Sequence, residues 1–273
     1  MELSQACEAA GIGVVAVSEH TGPPRLHRAL PVLSCRLVLS LGTPIDVCYG
    51  DQARRAQAVV TGLMRPGTGT PSLTLRPGQP TVYVELSPTA TQRLTGVPLS
   101  ELDAGGLDAI ALLPWLGLLS EELAELPADQ RVRLMRRRLL DHLVRARRPD
   151  VSPYAVQALG VIRVGHGRVP VEDVARQLHL SPRRLRQVLG STVGITPKFA
   201  SRVARLTATV RRAGNGADSW AEIAAECAYH DQSHLVRDFQ DLMGTTPTAW
   251  LAEEGRNLQG GARGSSRPSN HDQ

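Results

Sequence analysis

The stretch VEDVARQLHLSPRRLRQVL (Val171 to Leu189) runs on to Gly194-Ile195-Thr196-Pro197. It is answered by WAEIAAECAYHDQSHLVRDF (Trp220 to Phe239), which runs on to Gly244-Thr245-Thr246-Pro247. Val174-Ala175 matches Ile223-Ala224, Leu178 matches Cys227 and Leu180 matches Tyr229, all at one fixed offset. After a slip of one residue in the turn, Leu185, Leu189, Gly194 and Pro197 match Leu235, Phe239, Gly244 and Pro247. A repeat whose slip is confined to a turn is two copies of one supersecondary unit. Val174, Ala175 and Leu178 form one apolar stripe on a short helix, and the small alanine lets a second helix approach closely. A tight turn with one inward residue (Leu180 or Tyr229) follows, then a helix burying Leu185, Val188 and Leu189, or Leu235 and Phe239. Ser219-x-x-Glu222 has capping-box spacing. Thr196-Pro197 and Thr246-Pro247 each set a capping residue before a proline suited to a helix's first turn. The unit reads as a helix-turn-helix, with Pro197 to Arg212 as the long helix joining the two copies.

The paired unit closely resembles the DNA-binding domain of AraC/XylS-type transcription regulators. The residues that carry the resemblance are Asp231-Gln232-Ser233-His234-Leu235-Val236-Arg237-Asp238-Phe239 and Gly244-Thr245-Thr246-Pro247, within a span of roughly Ser152 to Glu254. Ala228 stands where that family usually has Gly, Leu189 where it often has Phe, and Gln187 where Arg is common. Outward residues early in a recognition helix reach base edges. In the first unit these are Arg183, Arg186 and Gln187, with Arg184 flanking toward phosphate; in the second they are Ser233 and Arg237, with Gln232 and His234 beside them. Arg suits the paired acceptors of guanine and Gln suits adenine. The expected partner is double-stranded DNA, over a footprint of about two turns.

Charge is distributed to suit. Lys plus Arg number 31 against 26 Asp plus Glu, and Lys198 is the only lysine. Between Asp173 and Asp218 there is no acidic residue, while Arg176, Arg183, Arg184, Arg186, Lys198, Arg202, Arg205, Arg211 and Arg212 all fall there. The second unit is acidic around Arg237. Phosphate neutralisation is therefore expected mainly from the first unit. Cys7, Cys35, Cys48 and Cys227 show no paired metal or disulfide spacing, which suits a reduced cytoplasmic protein. The N-terminus carries acids where a signal peptide carries basic charge, and no apolar run approaches the roughly 18 residues that span a bilayer.

Ahead of the repeat the signals are β. Ile12–Val17, Val32–Leu41, Ile45–Tyr49, Ala56–Leu63, Ser72–Leu75 and Thr81–Leu86 are short apolar or alternating runs divided by Gly/Pro breakers. Helices are expected over Pro88–Leu94, Leu107–Leu119, Ser120–Leu126 and Pro127–Arg148. The last has Val132, Met135, Leu139, Leu143 and Val144 on one face and mostly arginine on the other. That basic face is read as the solvated face of a dimer or interdomain helix, with an auxiliary contact to the DNA backbone as the first alternative and a membrane-surface helix as the last. Pro31–Gly42, Thr61-Gly62-Leu63 and Val84–Leu102 resemble the N-terminal domain of a subset of AraC-type regulators, which implies effector binding or dimerisation there.

The chain is thus expected to be α+β: a small barrel- or sandwich-like β domain and helices, then an all-α domain of two helix-turn-helix units. The expected divisions are 1–106, a helical linker region 107–149 holding the basic helix 127–148, the DNA-binding domain 150–255 and a disordered tail 256–273. The reading implies a non-enzymatic transcription regulator and homodimer, modulated by a small molecule or effector-independent, and meeting RNA polymerase if it is an activator. It implies no cofactor, metal or membrane partner. An enzyme would need an activated thiolate, for which Cys35 is the nearest candidate in an alkyl-transfer repair protein. A metal enzyme would need a third ligand beside His20 and His27.

Overall fold

A computed structural model describes residues 2–147, 151–214 and 219–261. Residues 148–150, 215–218 and 262–273, which include the end of the expected linker region and most of the expected tail, lie outside the described residues.

The chain opens with helix α1 (Glu2–Ala9) and builds two sheets. The first has the order β1 (Ile12–Ser18), β8 (Thr81–Leu86), β3 (Cys35–Ser40), β6 (Ala58–Thr61), β9 (Leu107–Asp108). The second has the order β2 (Arg25–Arg28), β7 (Ser72–Leu75), β4 (Ile45–Tyr49), β5 (Gln52–Ala56). All named pairs are antiparallel. The two sheets stay open and separate among the described residues, so the barrel-or-sandwich expectation resolves to the sandwich-like form.

The period-two alternation of a strand makes the first sheet two-faced. On one face Cys35, Leu37, Leu39, Val82, Val84 and Leu86 are buried in the main core beneath the helices. On the other, Val38 and Val59 meet Ile45, Val47 and Leu73 of the second sheet, with Tyr83 against them. Register sets Arg36 opposite both Thr61 and Glu85, and Val38 opposite Val59 and Tyr83, so each row across the sheet has one character.

Helices α2 (Pro88–Thr95), α3 (Ala109–Leu112), α4 (Trp115–Ala124) and α5 (Ala128–Arg145) follow. The helix expected over Leu107–Leu119 is not continuous. Leu107 and Asp108 pair with β6 as β9, Asp108 caps α3, and the chain breaks at Leu113-Pro114 because proline cannot donate to a preceding turn. α5 packs on β1 and buries Met135, Leu139 and Leu143, but Val144 is 70% exposed and belongs to the outer face. Arg131 turns inward, donating to the carbonyls of Leu123 (2.9 Å) and Ala124 (3.0 Å) and closing the end of α4. α1, β2 and β5 lie outside the segments read as structured from sequence. RLHR and QARRA have almost no apolar alternation and become strands by pairing with β7 and β4.

The C-terminal part is all-α: α6 (Pro153–Val164), α7 (Val171–Gln177), α8 (Pro182–Val193), α9 (Pro197–Gly214), α10 (Trp220–Glu226), α11 (Gln232–Met243) and α12 (Pro247–Gly261). α7–α8 and α10–α11 are the two units, and α9 joins them.

Candidate nucleic-acid interface

Each recognition helix is fixed at both ends by its own sequence. Ser181 caps α8 by accepting from the Arg184 N–H (3.1 Å), Pro182 occupies the first turn, and Gly194 ends it in the left-handed region. Asp231 caps α11 by accepting from the His234 N–H (2.7 Å), and Gly244 ends it likewise. That donated N–H, and the His230 ring, hold the Asp231 carboxyl below its ordinary value. The Thr-Pro signals behave as read: the Thr196 and Thr246 hydroxyls accept from Phe199 and Ala249. Within the turns, His179 (φ 54°) and Ala228 (φ 58°) are left-handed at equivalent positions.

Burial of one stripe exposes the other. In α8, Leu185, Val188 and Leu189 are buried while Arg183, Arg184, Arg186 and Gln187 are exposed. In α11, Leu235 and Phe239 are buried and Gln232, Ser233 and Arg237 are exposed. The side chains of Arg183, Arg186 and Arg237 make no hydrogen bond or close ion pair with a described residue, although Arg237 helps to lower the Asp231 carboxyl through space. Arg184 Nη1 donates to Gln187 Oε1 (2.9 Å), so those two side chains present a joined polar surface. His234 is half-buried, edge-on to Tyr229 at 5.2 Å between centroids, and supports the turn as well as facing outward.

Part of the basic run is spent internally. Arg202 of α9 donates to Asp238 (2.8 Å) and Asp241 (2.9 Å) of α11. Arg212 donates to Glu226 at the end of α10 (2.5 Å), and Arg168 reaches the Glu226 carbonyl. Arg205 lies over the Tyr229 ring, 5.3 Å from its centroid. The arginines of the joining helix α9 and the acids of the second unit are therefore partly two sides of one internal contact, and the exposed arginines of α8 remain for phosphate or bases. Asp238 was legible in principle: the repeat sets it opposite the buried Val188, and a buried acid requires a partner.

The β domain grips this assembly at three places. Arg65 Nη1 donates to the Val193 carbonyl at the end of α8 (3.0 Å), while Nη2 donates to Leu99 and Ser100 (3.0 and 2.8 Å). A Cβ on Gly194 would fall 1.5 Å from Nη1 of that guanidinium, so the glycine admits it. The Thr207 hydroxyl of α9 donates to the Pro31 carbonyl (2.6 Å). His27 bonds Glu254 of α12 (2.9 Å), and Arg28 bonds Glu253 (3.2 Å). None of these contacts has a local sequence signal, because the partners stand far apart in the chain. Between the sheets lies a cavity of about 340 Å³, walled in part by His27 and the Ala29–Val32 segment.

The residues weighed for other chemistry have other employment. Cys35 is fully buried, and burial pushes its thiol up to about 12 even against a hydrogen bond to Thr91. His20 bonds the Pro23 carbonyl (2.8 Å) and His27 is taken by Glu254. No helix among the described residues is long and apolar enough to cross a membrane.

Residues 174–253 match the family model described as "Helix-turn-helix domain". No curated protein matches the chain. Among solved structures, ToxT from Vibrio cholerae O395 aligns at TM-score 0.51 and 12% identity, covering 88% of this chain and 97% of that one. Unsaturated fatty acid bound wild-type ToxT from Vibrio cholerae strain SCE256 aligns at 0.52 and 11%, covering 88% and 95%. The O395 protein bound to (E)-4-(8-methylnaphthalen-1-yl)but-3-enoic acid aligns at 0.50 and 12%, covering 89% and 99%. At such identity these likenesses establish the fold across both parts of the chain. The matched model makes residues 174–253 a helix-turn-helix domain, the DNA-binding module that the repeat led us to expect.

Proposed function

We propose that α8 and α11 enter consecutive major-groove segments of one DNA site. Arg183, Arg186 and Gln187 read the first segment, Ser233 and Arg237 the second, and Arg184, Gln232 and His234 hold backbone or flanking positions. The observation that carries this is that the side chains of Arg183, Arg186 and Arg237 are exposed and make no hydrogen bond or close ion pair among the described residues, on helices whose buried faces are packed. An arginine fork free of internal partners suits guanine O6 and N7.

The β domain, residues 1–106, supplies control through a small molecule held between its sheets, and the helical region 107–149 links it to the DNA-binding domain 150–255. Supporting this, the segment from His27 to Val32 lines the cavity on one side, and its Pro31 carbonyl and His27 ring hold α9 and α12 on the other. ToxT, which shares the fold, has been solved with an unsaturated fatty acid and with a naphthalenyl butenoic acid. The chain acts in the cytoplasm as a homodimer, so that the full operator holds two copies of the site; RNA polymerase is a further partner there only if the chain activates.

Selection of bound fragments from sheared genomic DNA at physiological salt tests the reading. Recovery of a shared motif about two turns long per protomer is expected. Diffuse recovery that disappears as salt is raised would mean phosphate binding alone and would sink the sequence-specific reading.

A further inference from the structure

The cavity between the sheets has one polar edge, and that edge defines a chemistry. Its walls are apolar at Val38, Val47, Val59 and Leu73. Across the first sheet the neighbouring row is Thr61, Arg36 and Glu85, fixed side by side by register and all lining the cavity. The Arg36 guanidinium makes no hydrogen bond or ion pair with a described residue, although burial disfavours its charge and the nearby Glu85 and Tyr83 only offset that. The Glu85 carboxylate has no hydrogen-bond partner among the described residues either. Ser34, one residue ahead of β3, is 6% exposed and its Oγ is without a partner; Thr70 Oγ1 is buried and unpartnered on the same cavity. Buried polar groups in folded proteins are nearly always satisfied, so the buried, unpartnered Ser34 and Thr70 hydroxyls beside the half-buried Arg36 and Glu85 mark a place where something binds.

Charge selects among ligands. Arg36 and Glu85 face one space and together are neutral. A carboxylate that reached Arg36 would meet the like charge of Glu85 on the adjacent strand, and an ammonium at Glu85 would meet Arg36. A group with an acceptor and a donor side by side satisfies both: its carbonyl takes the guanidinium N–H groups and its N–H donates to the carboxylate. Resting on the reading of this cavity as the effector site, we propose that it takes an uncharged, apolar amide. Arg36 binds the carbonyl, Glu85 the N–H, and the alkyl or aryl body lies along Val38, Val47 and Val59. The ligands in the ToxT structures are acids; Glu85 is the residue here that turns selection away from them.

Calorimetric titration of the full-length protein with decanamide, decanoic acid and decanol, each below micelle-forming concentration at neutral pH, tests this. Saturable binding of decanamide, at least ten-fold tighter than decanoic acid with decanol between them, is expected. The near-isosteric Glu85→Gln should raise decanoic acid to parity or better, and Arg36→Met should weaken amide and acid together. Wild-type protein that prefers the acid, or that binds none of the three while folded by circular dichroism, overturns the proposal. So does a Glu85→Gln variant with unchanged preference. Decanamide binding that leaves DNA retention unchanged would sustain the ligand class and count against the effector role instead. Motif recovery from genomic DNA without ligand is unaffected by any of these outcomes.

Discussion

Ala228 pays for its place in the second turn with a φ of 58°, a region that costs an L-residue roughly 1–2 kcal/mol and glycine nothing. Part of that returns as the extra freedom glycine has in the unfolded chain, roughly 0.5–1 kcal/mol. Ala228→Gly should therefore stabilise the protein by about 0.5–1 kcal/mol in urea unfolding, with DNA affinity unchanged. At the same scale, Arg186→Ala and Arg237→Ala should each cost on the order of 1–3 kcal/mol at a cognate site and far less on random DNA. Equal losses on both, in binding titrations, would reassign them to phosphate. Cys48 is exposed while Cys7, Cys35 and Cys227 are buried. Burial pushes the Cys35 thiol up to about 12, which keeps it protonated at neutral pH, the opposite of an activated thiolate. A thiol reagent should label one cysteine rapidly in the folded chain, and Cys48→Ser should abolish that phase.

Between elements, the contact that sets α11 against α9 is Arg202 on Asp238 and Asp241. Asp238 is nearly out of solvent, at 6% side-chain exposure, and its Oδ2 has no partner. Removing the arginine leaves a buried carboxylate uncompensated, so Arg202→Met should destabilise by about 3 kcal/mol in chemical denaturation. The pair Arg202→Met with Asp238→Leu should recover most of that, because an apolar pair of similar volume replaces both charges. Failure of the double variant to recover would show that the contact holds α11 through something other than charge compensation. The repeat makes the point from the other side: Val188 does in the first unit, by apolar packing, what Asp238 does in the second by an ion pair.

For the whole molecule, the question is how a β domain governs two reading heads. It touches both: Arg65 sits on the C-terminal end of α8, where a cation is favoured by the helix dipole, and His27 and Arg28 hold α12 beyond the second unit. Replacing Arg65 by Ala and Glu254 by Gln together should leave both parts folded and DNA binding intact. Hydrogen exchange should accelerate at the end of α8 and in α12 but not in the β3 core, and any ligand-dependent change in DNA affinity should disappear. Unchanged exchange at α12 would mean that the apolar contacts alone hold the two parts together.

What the chain declared by itself is whatever depends on neighbours in sequence. The helix-turn-helix pair was legible because capping residues, prolines, glycines and apolar stripes all act within one or two turns, and the repeat stated them twice. The strands with alternating residues, such as Thr81–Leu86, were legible for the same reason. Arg25–Arg28 and Gln52–Ala56 were not, since their β conformation comes from ladders with distant partners. Nor could sequence show that Arg202 and Arg212 serve the second unit's acids while Arg183, Arg186 and Arg237 make no side-chain hydrogen bond or close ion pair among the described residues. An arginine's partner is fixed by where the fold carries it, and only the packing of α9 against α10 and α11, and of two sheets around Arg36 and Glu85, decides which charges meet.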